Sequence, residues 1–211
     1  MKFLNPKINK CIEKKIKDSI NDNEFYNGYY NESIDILYTI NQITFESCIF
    51  EKIDFSNILL KNVDLMDVVF KNCDLSNQTF DKTSLNRVKF ENCKMLGTSF
   101  IDASIKDVEF NNTQAKYINL SGSRITNLKV IDSNFQESYF LEATLKNIEF
   151  QNSNFSKSEF YKTNLDTIDF STCEISGAKF DMKSLYRIII NPYQSEHLVS
   201  MLGVKIKDKN Y

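Results

Sequence analysis

The segments VVFKNCDL (68–75), VKFENCKM (88–95), VEFNNTQA (108–115) and IEFQNSNF (148–155) align with one another at multiples of 20 residues. Each carries apolar residues five apart, Phe70 and Leu75 in the first, Phe90 and Met95 in the second. Followed outward in both directions, the five-residue step runs from Ile40 to Ile190 through 31 positions without one polar residue. Fifteen of the 17 phenylalanines fall on it, and the other two, Phe3 and Phe25, precede it. About half of all residues are apolar in an average domain, so chance does not produce such a run.

A helix needs a period near 3.6 and a plain strand a period of 2, and five fits neither. Two residues before each apolar position lies a small or β-branched one, among them Ile53, Val63, Val68, Cys73, Thr83, Ala103 and Ser133. Inward residues at i−2 and i are strand-like alternation, sustained for only three residues. Two residues after it come Asn57, Asn62, Asp67, Asn72, Gly97, Gly122, Asp132 and Gly177, types that accept turn dihedrals. A chain that turns every five residues and buries two of them must coil around a narrow apolar axis. The 20-residue superperiod gives each coil four sides. The array then makes about seven and a half coils, a rod roughly 36 Å long at ~4.8 Å per rung.

Val63-Asp64-Leu65, Cys73-Asp74-Leu75, Ser133-Asn134-Phe135, Ser153-Asn154-Phe155 and Thr163-Asn164-Leu165 follow the pattern A(D/N)LXX. The chain resembles the pentapeptide-repeat family over about 150 residues, counted along 40–190. The resemblance implies an all-β solenoid, a right-handed quadrilateral β-helix, with short capping helices at the N- and C-termini. Three regions are expected: an N-terminal cap over 1–39, the β-helix over 40–190, and a C-terminal helix and short strand over 191–211.

Composition narrows the function. Five glycines and two prolines are too few for a sandwich or barrel with many tight loops. The net charge of −2 favours neither nucleic acid nor an anionic membrane. No run of 18 apolar residues is present and the basic N-terminus lacks a signal-type apolar core, so a cytoplasmic setting is expected. Cys48, Cys73, Cys93 and Cys173 occupy inward i−2 sites without a CxxC pair, which reads as core filling rather than metal or redox chemistry. The one histidine, His197, has no nucleophile or metal-ligand cluster around it in sequence. No catalytic, cofactor or metal site is expected, and the protein is read as non-enzymatic.

Three positions depart from the pattern. Ala115 under-fills the axis, while Gln78 and Lys183 bring polar groups to inward sites, read as a hydrogen-bonded Gln and a Lys that snorkels near the last coil. At the N-terminus, Ile8, Cys11, Ile12, Ile16 and Ile20 suggest an amphipathic cap helix over Pro6–Ile20. At the other end, Asn191-Pro192-Tyr193-Gln194 reads as a helix N-cap, with the helix stopping at Gly203 and Val204-Lys205-Ile206 forming a short strand.

Within the family the C-terminus resembles that of the Qnr/MfpA-like quinolone-resistance type. This implies a homodimer with Ile188, Ile190, Leu198, Met201, Leu202, Val204 and Ile206 at its interface. It further implies a DNA mimic that binds DNA gyrase or topoisomerase IV and protects it from quinolones, with no direct nucleic-acid or membrane binding. Candidate partner-facing acidic residues are Asp64, Asp67, Asp107, Glu109, Glu137 and Glu142. A DNA mimic calls for a strongly negative stripe, yet each of the four sides is close to neutral. The alternative is a scaffold or protein-binding module with no topoisomerase role. An apolar surface of Ile101, Tyr139, Leu141 and Tyr161 would serve it.

Overall fold

The computed structural model describes residues 2–201 and 203–205. Its body is an all-parallel β-solenoid. Strands β4 (Tyr38–Glu51), β5 (Ile58–Lys71), β6 (Ser84–Glu91), β7 (Ser104–Asn111), β8 (Arg124–Ile131) and β9 (Thr144–Gln151) stack in chain order. Each register is offset by 20, as in Phe70↔Phe90, Phe90↔Phe110 and Phe110↔Val130. From β6 to β9 these strands form two adjacent sides of the square coil, and the longer β4 and β5 extend onto a third. The other two sides are joined by short parallel bridges such as Asp74↔Lys94 and Ser99↔Asn119.

The corners explain the period. Nearly every residue two past an axis position has a left-handed backbone, from Gln42 (φ 55°) to Arg187 (φ 57°). Asn and Asp tolerate that region better than other side chains, and glycine has no Cβ to oppose it. At Gly122 (φ +69°) an added Cβ would lie 2.3 Å from Asp102 Oδ1, so the corner there is closed to any side chain unless Asp102 moves.

The core is a column of stacked rings. Phe50, Phe70, Phe90 and Phe110 lie 5.1, 5.2 and 4.9 Å apart in near-parallel planes along one side. Phe140, Phe160 and Phe180 do the same on another, at 4.9 and 5.3 Å. Such pairs contribute about 0.5–1.5 kcal/mol each beyond burial. Inward Ser, Thr and Cys at i−2 have a further role: most donate to a carbonyl of the preceding coil, while Thr83 and Ser123 donate to Phe80 O and Leu120 O in their own. Ser158 Oγ reaches Phe135 O at 2.9 Å and Cys73 Sγ reaches Phe50 O at 3.4 Å.

The three irregular positions resolve individually. Gln78 is buried with both ends paired, Nε2 donating to Phe55 O (3.0 Å) and Oε1 accepting from Leu60 N–H (3.2 Å). Ala115 is fully buried, and Phe110 meets Phe135 edge-to-face at 5.3 Å nearby. Lys183 does not point inward: Asp181 Oδ1 accepts both the Lys183 and Ser184 amides, the register slips by one, and Ser184 takes the inward site.

The N-terminus corrects the expected Pro6–Ile20 helix. Helix α1 covers only Ile16–Asn21, preceded by β1 (Ile12–Glu13), which pairs with β3 (Gly28–Tyr30). β2 (Phe25–Tyr26) and β3 are laid on β4 in the 20-residue register, so Phe25 stacks on Phe45 and Tyr30 on Phe50. Residues 3–10 carry no helix; Pro6 restricts Asn5 to extended backbone and the segment lies along one corner of the rod. At the other end, Asn191 caps a 3-10 turn (Pro192–Gln194) in a reciprocal capping box, followed by α2 (Ser195–Met201). Among the described residues no helix is long and apolar enough to cross a membrane.

Candidate functional site: the corners and the C-terminal end

The six acidic candidates do not form a stripe. Asp67 and Asp107 are buried under the N-terminal segment, which corrects their reading as partner-facing. Leu4 N–H donates to Asp107 Oδ1 (3.1 Å), Lys7 N–H to Asp67 Oδ1 (2.7 Å) and Asn9 N–H to Ser47 Oγ (3.0 Å). Ser47, Asp67 and Asp107 share one corner, so the segment crosses coil after coil as a strap. Arg87, between the two aspartates, binds Asp67 at 2.6 Å. Burial alone would raise the Asp67 carboxyl, but Arg87 and the Lys7 amide outweigh it and hold it below the usual carboxylate range.

The remaining four are more open, and three of them are neutralised. Asp64 accepts the Ser84 amide at 2.6 Å. Glu109 pairs with Lys89 (3.3 Å), Glu137 with Lys116 (3.1 Å) and Glu142 with Lys162 (2.7 Å). Exposed pairs of this kind are screened by solvent, contribute little to stability and leave little net field. The apolar candidates do share one side. Ile101, Leu141 and Tyr161 lie in one column, with Ser121 between the first two, and Tyr139 stands in the adjoining column between Asn119 and Glu159.

At the C-terminal end, Gln194 Nε2 donates to Phe170 O (2.9 Å) and Cys173 O (2.7 Å), and His197 Nε2 lies 2.9 Å from Ala178 O. These contacts seat α2 on the last coil. Ile188, Ile190 and Leu198 are partly buried against the core, so a large share of their surface serves the cap. Met201 and Val204 are exposed, whereas Leu202 and Ile206 lie outside the described residues. Met182, Tyr186, Ile189 and Tyr193, which the repeat does not single out, add exposed apolar surface at this end, Tyr193 at 95 %. Their signal was available: each lies off the axis step, where a solvated rod would carry polar residues.

The cysteines are core groups. Burial pushes the Cys48 thiol up to about 11, and a hydrogen bond shared with Cys93, together with burial, raises Cys73. Among the described residues no group of His, Cys, Asp and Glu is arranged to hold a metal ion.

A square parallel β-helix with left-handed corners every five residues defines a pentapeptide solenoid. Two family models, described as "Pentapeptide repeat region" and "Pentapeptide repeats (8 copies)", match residues 63–130 and 133–171, together just over half of the 211 residues. The chain belongs to the pentapeptide-repeat family.

Solved structures of the same architecture include a trypsin-treated form of QnrB1, a plasmid-mediated fluoroquinolone resistance protein. It has 20 % identity and a TM-score of 0.45, over 92 % of this chain and 90 % of that one. HetL of the cyanobacterium Nostoc, involved in heterocyst differentiation regulation, has 11 % identity and a TM-score of 0.36, over 85 % and 89 %. A thylakoid-lumen pentapeptide-repeat protein of Arabidopsis thaliana has 24 % identity and a TM-score of 0.28, over 46 % and 64 %. No curated protein matches the chain in sequence.

Proposed function

We propose that this chain is a non-enzymatic docking rod, that two copies associate through their C-terminal ends, and that the partner is a type II topoisomerase such as DNA gyrase. The observation that carries the docking reading is the concentration of exposed apolar side chains at one end. Met182 (70 %), Tyr186 (65 %), Ile189 (46 %), Tyr193 (95 %) and Val204 (52 %) stand there beside the partly buried Ile188, Ile190 and Leu198. Exposed apolar surface gathered in one place supports an interaction site. The topoisomerase partner comes from the Qnr/MfpA-like resemblance of the C-terminal segment. Cancelled charge pairs on the faces weigh toward shape and apolar contact rather than bulk electrostatics as the source of affinity.

Gyrase supercoiling in the presence of ciprofloxacin, with purified protein titrated in, tests the partner. Rescue of supercoiling that is lost in a Tyr193→Asp, Ile189→Asp variant supports it. No rescue and no inhibition at any dose removes the topoisomerase and leaves a scaffold, for which the column Ile101, Leu141 and Tyr161 offers a second surface on the rod's side.

A further inference from the structure

Residues 2–10, ahead of β1, carry Lys2, Lys7 and Lys10 and no acidic residue. They run down the corner column Ser47, Asp67, Arg87, Asp107 and Asn127 without joining the ladder. Among the described residues no backbone–backbone hydrogen bond involves them, and the first in the chain runs from Ile12 N–H to Asn27 O. Main chain binds side chain instead. Asp107 and Asp67 stand two coils apart, about 9.6 Å at ~4.8 Å per rung. They accept the amides of Leu4 and Lys7, which lie roughly 10 Å apart along an extended chain. Arg87, on the coil between, is bound to Asp67 and Asn86. At the far end the Phe3 ring lies under the Lys129 ammonium at 5.1 Å, in a shallow cavity bounded by Asn127, Leu128, Asn147 and Ile148.

A segment held only by side chains can leave without breaking a rung, so its release leaves the stacked coils closed. What it uncovers is a track that reads extended backbone at a fixed spacing and favours positive charge. The strap does not complete that track. Asp107 is 1 % exposed, yet its Oδ2 takes no donor among the described residues. Its Oδ1 carries both the Leu4 amide and Asn127 Nδ2 (2.6 Å). A buried carboxylate oxygen without a donor is costly, and a cationic side chain is the partner that offsets this best. The strap brings an apolar residue, Leu4, to that coil.

We propose that residues 3–9 are a releasable strap lying in a docking track, and that the track accepts an extended, lysine-bearing segment of a partner protein in the strap's place. The incoming segment sets main-chain amides on Asp67 and Asp107 as the strap does, and adds a lysine to Asp107. The track is separate from the C-terminal end, and the proposal does not rest on two copies associating there.

The test uses the full chain. Leu4→Pro with Lys7→Pro removes both amide donors from the strap and leaves every rod residue in place. Cys11, whose thiol reaches Ser47 O at 3.2 Å at the root of the strap, reports release. Its labelling by a colorimetric thiol reagent should rise about tenfold or more, while the buried Cys48, Cys73, Cys93 and Cys173 stay unlabelled. An unchanged Cys11 rate would overturn the proposal, and so would labelling of the buried cysteines, which would make the strap an obligatory part of the fold. Fluorescent peptides of residues 2–10, one with the native sequence and one with Leu4→Lys, are then titrated by anisotropy. The native peptide should bind the proline variant about tenfold more tightly than the unaltered chain, whose tethered strap competes with it. The Leu4→Lys peptide should bind the variant about tenfold more tightly again, and adding Asp107→Asn should abolish that gain. Equal binding to the two proteins, or a lysine peptide no tighter than the native one, would overturn the proposal.

Discussion

Arg87 holds Asp67 at two points, Nε to Oδ1 at 2.6 Å and Nη2 to Oδ2 at 2.7 Å, one coil apart on the same corner. The same carboxylate accepts the Lys7 amide at 2.7 Å, so a pair formed within the repeat also anchors the N-terminal strap. Asp67 is held below its usual range, and its contribution follows from that sign. It is fully present above the unfolded value of about 4 and is lost as pH falls through the lower folded value. Asp67→Asn should cost about 1–3 kcal/mol at neutral pH and flatten the acid limb of the stability curve. Urea unfolding of both proteins between neutral pH and pH 2 checks this, and two parallel curves would refute it.

Phe90 lies between Phe70 and Phe110 at 5.2 and 4.9 Å and is fully buried. Phe90→Ala removes a ring from a column that cannot collapse without breaking register on either side. It should cost about 3–5 kcal/mol, read from denaturant midpoints. Because each coil contacts only its neighbours, the loss should appear as faster amide exchange centred on β5 to β7 rather than spread evenly.

Gln78 tests a different kind of core position. Gln78→Leu keeps the size but strands the Leu60 amide and takes from the Phe55 carbonyl one of its two donors, the other being the Ile58 amide. A loss of about 1–3 kcal/mol is expected, where a purely space-filling view would expect a gain. Thermal or urea unfolding decides the sign.

The solenoid was readable because its rule is local: an apolar residue every five, a small one two before, a turn-tolerant one two after. Gln78 could be read for the same reason, since a polar residue on an inward column must find partners there. Asp67 and Asp107 were misplaced because their covering comes from Lys7 and Leu4, 60 and 103 positions away, in a segment with no period. Lys183 was misplaced by a one-residue slip at Asp181 that a strict step of five does not allow. The alternation Lys89, Glu109, Lys129, Glu149 and its failure at Asp169 were present in the sequence. They become visible only when outward residues are read down columns of 20 instead of along the chain.

Thiol chemistry follows from the same columns. Cys48, Cys73, Cys93 and Cys173 are buried and Cys11 is intermediate. Burial raises Cys48 to about 11 and also raises Cys11 and Cys173, so the reactive thiolate is scarce at pH 8. A colorimetric thiol reagent should label Cys11 slowly in the native protein and all five cysteines in denaturant. Rapid native labelling of Cys73 or Cys93 would contradict the packed column.

Among the described residues no bridge or backbone hydrogen bond joins β9 to residues 164–171, and repairing that one-sided break is the sharpest use of the column logic. Asp169→Lys restores the charge alternation beyond Glu149, and Thr172→Asn supplies a corner residue that accepts the left-handed backbone. Together they should let residues 164–171 pair with β9 as every earlier coil pairs with its neighbour. Slower amide exchange over 145–151, by about tenfold or more, would report the new rungs, and a gain in stability of about 1 kcal/mol or more would accompany them. Unchanged exchange over 145–151 in this variant would refute the column reading.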